Sequence, residues 1–179
     1  MEMLVHICCA PCATYTIQKL RNDGFDPTGF FYNPNIHPFT EYRRRLETLQ
    51  QYADAVELDV VYKDEYMLEE FIKKTLEVED RCSICYHIRL HEAARQASDN
   101  GFDAFTTTLL ISPYQKHEMI KDVAKTLASE YGVDFYYQDF REGFNMTFQL
   151  CRDMGLYRQS YCGCIFSEKE RYYRKLVTE

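Results

Sequence analysis

Apolar positions along this chain fall into two alternating kinds of run. Short blocks rich in β-branched and aromatic residues, at 3–7, 28–32, 56–61, 104–110 and 133–137, read as strands. Between them lie longer stretches with apolar residues at helical spacing. The first, 14–21, is stopped by Asp23-Gly24, and the second, 40–53, has Thr40 at its N-cap. Residues 67–78 and 84–97 read as the next two helices, the latter ending near Gly101. Ser112-Pro113 is a cap-plus-first-turn pair for a helix over 115–131, which Gly132 ends. From Asn145 onward the chain reads as helical around a cysteine-bearing loop.

Strands separated by helices of this length predict right-handed βαβ crossovers and a parallel sheet covered on both faces. The expected fold is therefore α/β: a Rossmann-like parallel sheet with helices on both faces and a helical, cysteine-bearing C-terminal segment, as one domain over 1–179. In such sheets ligands sit outside the carboxyl ends of the strands. Cys8-Cys9 follow the first strand, the two-proline loop Asn33-Pro34-Asn35-Ile36-His37-Pro38 follows the second, and Ser112 to His117 follow the fourth. Three chemically loaded loops are expected on one rim.

Composition narrows the chemistry. The 179 residues include 15 tyrosines and 12 phenylalanines, enough to fill a core without a covalent staple. A net charge of −7 excludes a protein coated in basic residues, so any nucleic-acid contact must use a local patch. The N-terminus lacks a basic segment ahead of its short apolar stretch, and no apolar run is long enough to span a bilayer. A cytoplasmic location is expected, where clustered thiols bind metal or do redox work and structural disulfides are rare. Of the eight cysteines, only Cys151 stands alone and reads as an inert buried thiol. The others form Cys8-Cys9-x-x-Cys12, Cys82-x-x-Cys85 and Cys162-x-Cys164.

The three groups differ in what they can do. Cys82-x-x-Cys85 suits an iron–sulfur cluster, a zinc ion or a dithiol equally well. Neighbouring strand residues point to opposite sides, so Cys8 and Cys9 can serve one site only where the chain turns, before Ala10-Pro11. Cys12 then falls at a helix start, where the dipole favours a thiolate. In Cys162-Gly163-Cys164 the glycine permits the tight bend of a labile, relay-type disulfide. Seven thiols exceed the four that one structural zinc takes.

Other residues are less specific. Arg43-Arg44-Arg45 and Arg171-Tyr172-Tyr173-Arg174-Lys175 could hold phosphates while tyrosines stack on bases, or could be solvated helix faces. Tyr157 to Tyr161, beside the third cysteine pair, are better placed to meet a substrate. Among His37, His87 and His117, the last is the one to test first, because it falls at a predicted helix N-terminus beside the site. Asp80 could give an oxygen to a metal or simply cap the following helix.

Together, His6-Ile7-Cys8-Cys9-Ala10-Pro11-Cys12, Tyr32-Asn33-Pro34-Asn35-Ile36-His37-Pro38, Arg81-Cys82-Ser83-Ile84-Cys85-Tyr86, the stretch from Thr107 to His117 and Tyr161-Cys162-Gly163-Cys164 resemble the epoxyqueuosine reductases of the QueH type, over nearly the whole chain. The resemblance implies the last step of queuosine synthesis, two-electron removal of the epoxide oxygen at the tRNA wobble position without cobalamin. It implies a 4Fe–4S cluster on Cys8, Cys9, Cys82 and Cys85, and a redox-active pair at Cys162 and Cys164. A second, mononuclear iron would take Cys12 or Asp80. Lys116 or His117 would protonate the departing oxygen. Asn33, Arg43, Arg44, Arg45 and Tyr161 are the expected substrate contacts, the anticodon loop and an unidentified electron donor the expected partners. Two alternatives compete. A PP-loop tRNA thiolase needs a glycine-rich phosphate loop where this chain has Cys-Cys-Ala-Pro-Cys. A zinc-bearing RNA-binding module would use the same cysteines.

Overall fold

The structure is a computed structural model describing residues 1–177, with side chains described through Tyr173. Arg174 and Lys175 of the C-terminal basic group thus have side chains outside the described ones. The described residues form five strands and seven α-helices. The strands are β1 (Glu2–His6), β2 (Asp26–Phe31), β3 (Val60–Tyr62), β4 (Ala104–Thr107) and β5 (Asp134–Phe135). The helices are α1 (Ala10–Asn22), α2 (Phe39–Ala55), α3 (Leu68–Thr75), α4 (Arg81–Asp99), α5 (His117–Tyr131), α6 (Met146–Asp153) and α7 (Ile165–Val177).

All strand pairs are parallel, in the order β3-β2-β1-β4-β5. Central β1 is paired on both sides, Val5 facing Gly29 on β2 and Thr106 on β4. Met3, Leu4 and Val5 have no exposed surface, as a strand covered on both faces requires. Strand order reverses at β1, so the crevice beyond β1 and β4 is the topological switch point where such sheets take ligands. No helix of the described residues is long and apolar enough to cross a membrane.

Element boundaries differ from the expected ones where local chemistry overrides periodicity. Helix α1 starts at Ala10, not Thr14, because Pro11 pre-sets its first turn and places Cys9 at the N-cap. Helix α4 starts at Arg81, three residues early, because the Asp80 carboxylate accepts the Cys82 N–H at 3.0 Å. Both Cys82 and Cys85 are therefore helical. Helix α2 runs on to Ala55 and the chain turns at Glu57 (φ 49°), which delays β3 to Val60. Strand β4 stops at Thr107, whose hydroxyl accepts the Leu109 N–H and starts a 3-10 turn over Thr108–Ile111. Ser112 does not cap α5, which begins at His117; its hydroxyl accepts the Tyr114 N–H in the loop.

One contact near the C-terminal segment carries a stability prediction. A Cβ on Gly143 would lie 2.2–2.3 Å from the Tyr15 ring of α1, too close for a rigid aromatic to yield. Gly143→Ala should therefore destabilise the fold by about 1–3 kcal/mol. The check is a lower urea midpoint with an unchanged slope.

A candidate metal and dithiol site at the switch point

The site begins where β1 ends. His6 is fully buried, its ring bonded to the Thr107 hydroxyl at 2.9 Å and the Tyr32 carbonyl at 3.3 Å, which ties together the ends of β1, β4 and β2. Burial, reinforced by the Arg89 guanidinium, lowers its pKa to about 3, so this imidazole is neutral. Two residues on, Cys8, Cys9 and Cys12 place their sulfurs within 4.8 Å of one another. The turn into α1 allows this: extended Cys9 at the N-cap swings its thiol to 3.6 Å from that of Cys8, and Cys12 faces both from the first helical turn. Hydrogen bonds from the Cys12 and Cys9 thiols hold the Cys8 thiol well below its usual range. Burial pushes Cys9 up. Thr108 fixes the position of Cys8, its hydroxyl accepting the Cys8 N–H at 3.0 Å and lying 3.2 Å from Sγ. The Gln159 amide donates to Cys9 Sγ at 2.8 Å.

The second group comes from α4. Cys82, Cys85 and Arg89 follow helical spacing and share one face. Cys85 is 9 % exposed, and burial pushes its thiol up to about 12. Arg89, only 2 % exposed, donates to Asn33 Oδ1 at 2.9 Å and lies 3.8 Å from Cys85 Sγ. Its Nε has no partner, and its electrostatic neighbours are the sulfurs of Cys85, Cys8 and Cys162.

The third group, between α6 and α7, which reads from sequence as a labile, relay-type pair, is tied down at its backbone. Arg45 donates to the carbonyls of Cys162 at 2.9 Å and Tyr161 at 3.1 Å. Its Nε is paired at 2.7 Å with Glu41, which also accepts the Tyr157 hydroxyl. The Gly163 carbonyl accepts the His37 N–H at 2.8 Å. Gly163 holds φ 146°, and a Cβ there would meet Arg45 and Asn35 at 3.2 Å, so glycine is needed for both conformation and space. Cys162 is left exposed, with the Gln115 amide 3.3 Å from its sulfur, while the Ser167 N–H of α7 points at Cys164 Sγ. A cavity of about 760 Å³ joins these elements, with Cys8, Cys12, Arg89, Gln115, Gln159 and Cys162 among its walls.

Several expected substrate contacts are instead committed to partners within the fold. Asn33 has no exposed surface: its amide donates to the Ile7 carbonyl and its oxygen receives Arg89, so it braces the site and cannot meet a substrate. The three consecutive arginines do not form one surface. Arg45 is 2 % exposed and consumed by the dithiol loop, Arg43 is paired with Asp64, and Arg44 stacks on Tyr157 with its guanidinium 3.6 Å from the ring centre. Tyr161 does border the cavity, its hydroxyl donating to the His37 carbonyl. Asp80 takes its capping reading, and Lys116, paired with it at 2.6 Å, holds its carboxyl below the usual range. His117 is 7 % exposed, with its ring on the Ser112 carbonyl at 3.1 Å, so it braces the loop before α5. Cys151 is a buried lone thiol, as expected.

Sequence reasoning passed over Arg89 and Thr108, and it singled out the stretches holding Gln115 and Gln159 without naming these two; Arg89 carried a readable signal, its position on the helical face of Cys82 and Cys85.

The match to known proteins is extensive. The family model described as epoxyqueuosine reductase QueH matches residues 3–170. The epoxyqueuosine reductase QueH of Dehalococcoides mccartyi is 37% identical over 96% of this chain and 94% of its own length. That of Thermotoga maritima is 39% identical over 94% of this chain and 91% of its own. Among solved structures, a Methanocaldococcus jannaschii protein described as a predicted subunit of tRNA methyltransferase shares the fold, with a TM-score of 0.55 at 13% identity over 85% of this chain and 74% of that one. A phosphate-cradling glycine loop is missing from the turn after β1, where three thiols stand in its place. With a family model covering almost the whole length and relatives well above a third identical, the chain belongs to the epoxyqueuosine reductase QueH family.

Proposed function

We propose that this chain performs the last step of queuosine formation, reducing epoxyqueuosine in the wobble position of tRNA, with an iron–sulfur cluster as its electron carrier. The observation that carries this reading is a cavity at the switch point lined by Cys8, Cys12 and Cys162, beside buried Arg89, which sulfurs of all three thiol groups surround and no carboxylate among the described residues neutralises. Buried charges are normally paired. Sulfurs from the β1 turn and from α4 near Arg89 fit an anionic, thiolate-ligated group. Cys8, Cys9, Cys82 and Cys85 would hold a 4Fe–4S cluster, leaving Cys12 as the spare thiol and the ligand candidate for a second iron.

The reaction needs two electrons and two protons: both C–O bonds of the epoxide break, a C=C bond forms, and oxygen leaves as water. A bound cluster supplies single electrons at low potential. Oxidation of the Cys162–Cys164 dithiol to a disulfide releases two electrons and two protons, the amount one turnover consumes. An electron donor must then reduce the disulfide. Arg45 and the His37 N–H fix the dithiol loop, so Cys162 faces the cavity before substrate arrives. Gln115 and Gln159 present amides to the cavity and could orient polar groups of the substrate. Lys116, outside the cavity wall but beside Cys82, is the remaining candidate proton donor. The wobble nucleotide lies in a single-stranded loop from which a base can be splayed, and the cavity is large enough for such a group.

Exposed Arg44 and half-buried Arg43 on α2 are the basic residues proposed to hold phosphates. Replacing both by alanine should weaken tRNA binding and flatten its dependence on log salt by roughly 0.7 per lost contact. Filter binding across a salt series checks this, and an unchanged slope would reduce both to a solvated face.

A second reading has one specific observation in its favour. The 3.6 Å separation of the Cys8 and Cys9 sulfurs is near the roughly 3.8 Å expected for two thiolates on one tetrahedral zinc. Anaerobic, iron-supplemented preparation followed by iron, sulfide and zinc analysis separates the two. A brown protein with matched iron and sulfide is expected, whereas a colourless zinc protein would replace this proposal with a zinc-bearing RNA-binding module.

A further inference from the structure

Arg89 is a fully buried cation beside the cavity, and its surroundings are unusual for one. It is 2 % exposed, its hydrogen-bond partners are a neutral amide and a sulfur, and its Nε is unpartnered. Among the described residues no carboxylate pairs with it; the groups that act on it electrostatically are Cys85, Cys8 and Cys162. Those sulfurs come from α4, from the turn after β1 and from the dithiol loop. The guanidinium thus sits among all three thiol groups. It is also propped in place: Asn33 receives it and is itself anchored to the Ile7 carbonyl at 2.9 Å. A polar side chain with no exposed surface has been spent on orienting this one cation.

Burying a guanidinium without an anion is costly, and a fold has little reason to keep it unless an anion arrives. We propose that Arg89 is the positioning residue that supplies the buried counter-charge to the iron–sulfur group and thereby raises its reduction potential. The inference rests on the iron–sulfur reading above. The physical reason is direct. Reduction adds one negative charge to the group, and a fixed positive charge a few ångströms away in a low-dielectric site stabilises the reduced form more than the oxidised one. Asn33 is the brace that keeps the guanidinium aimed at the sulfurs; Arg89 acts through them and does not touch the reacting bond.

The test compares wild type with Arg89→Met, Arg89→Lys and Asn33→Asp, each reconstituted anaerobically with iron and sulfide and titrated potentiometrically by EPR. Arg89→Met should shift the cluster potential to more negative values at unchanged iron per chain, and Arg89→Lys should restore most of the difference. Asn33→Asp keeps the guanidinium but places a carboxylate on it, and should shift the potential the same way. Thermal unfolding supplies the second readout. Without a cluster, Arg89→Met should be as stable as wild type or more so, because an uncompensated charge is gone; its gain in midpoint on cluster loading should be smaller. A fully loaded Arg89→Met protein with wild-type potential overturns the inference. So does an Arg89→Met apoprotein that is less stable than wild-type apoprotein or does not fold. Wild-type protein that takes up no iron and sulfide would instead sink the iron–sulfur reading itself.

Discussion

Cys82→Ala is expected to abolish the broad absorption near roughly 400 nm that marks this class of chromophore, and with it all epoxide reduction. Cys82 lies in the first turn of α4, where Asp80 caps its N–H and Lys116 stands close enough to favour its thiolate against a burial that disfavours it. Removing one of the four proposed sulfur ligands would leave an incomplete donor set, and Asp80, which caps the Cys82 N–H, is held by Lys116 and cannot readily substitute. The variant should stay folded, because Cys82 is only partly buried and packs at the edge of the hydrophobic core. Iron and sulfide analysis with an absorption spectrum checks it. A full cluster in Cys82→Ala would strike this residue from the ligand set and point to Cys12, which already sits within 4.8 Å of Cys8 and Cys9, as the fourth sulfur.

Cys162→Ser should do the opposite: keep the colour and lose turnover, by at least about a hundredfold. Cys162 is exposed at the cavity, its backbone is held by Arg45, and its sulfur meets the Gln115 amide, so serine fits with little disturbance. It cannot close a disulfide with Cys164. A cluster-loaded Cys162→Ser protein that turned over repeatedly with the same donor would exclude an essential dithiol relay. Arg45 gives the companion case. Its guanidinium holds the loop through two carbonyls and lies over the Tyr161 ring, so Arg45→Met should slow turnover by loosening the loop while both thiols remain.

Much of this architecture is legible in the chain, and the exceptions have physical causes. Alternation of apolar blocks with helical spacing leads to the five-stranded parallel sheet, and placing Cys8-Cys9 at the end of the first strand leads to the correct rim. Boundaries shift where one side chain satisfies a backbone group: Asp80 draws α4 back to take in Cys82, and Pro11 draws α1 back to Cys9. Tertiary partners are a different matter. Arg43, Arg44 and Arg45 are indistinguishable in sequence, yet helical phase buries the third under a loop more than 100 residues away. Asn33 reads as a polar loop residue, and only the packing of α4 against the sheet converts it into the brace for Arg89. His117 shows the same limit: its place beside the site is readable, whereas the direction of its ring is set by the Ser112 carbonyl.

The most direct measurement is a nucleoside analysis after incubating anaerobically reconstituted protein with epoxyqueuosine-containing tRNA and a low-potential reductant. The account predicts conversion of the wobble nucleoside to queuosine, one oxygen atom lighter, in proportion to cluster content and absent from the Cys82→Ala control. A fully loaded, tRNA-binding protein that leaves epoxyqueuosine unchanged would contradict it.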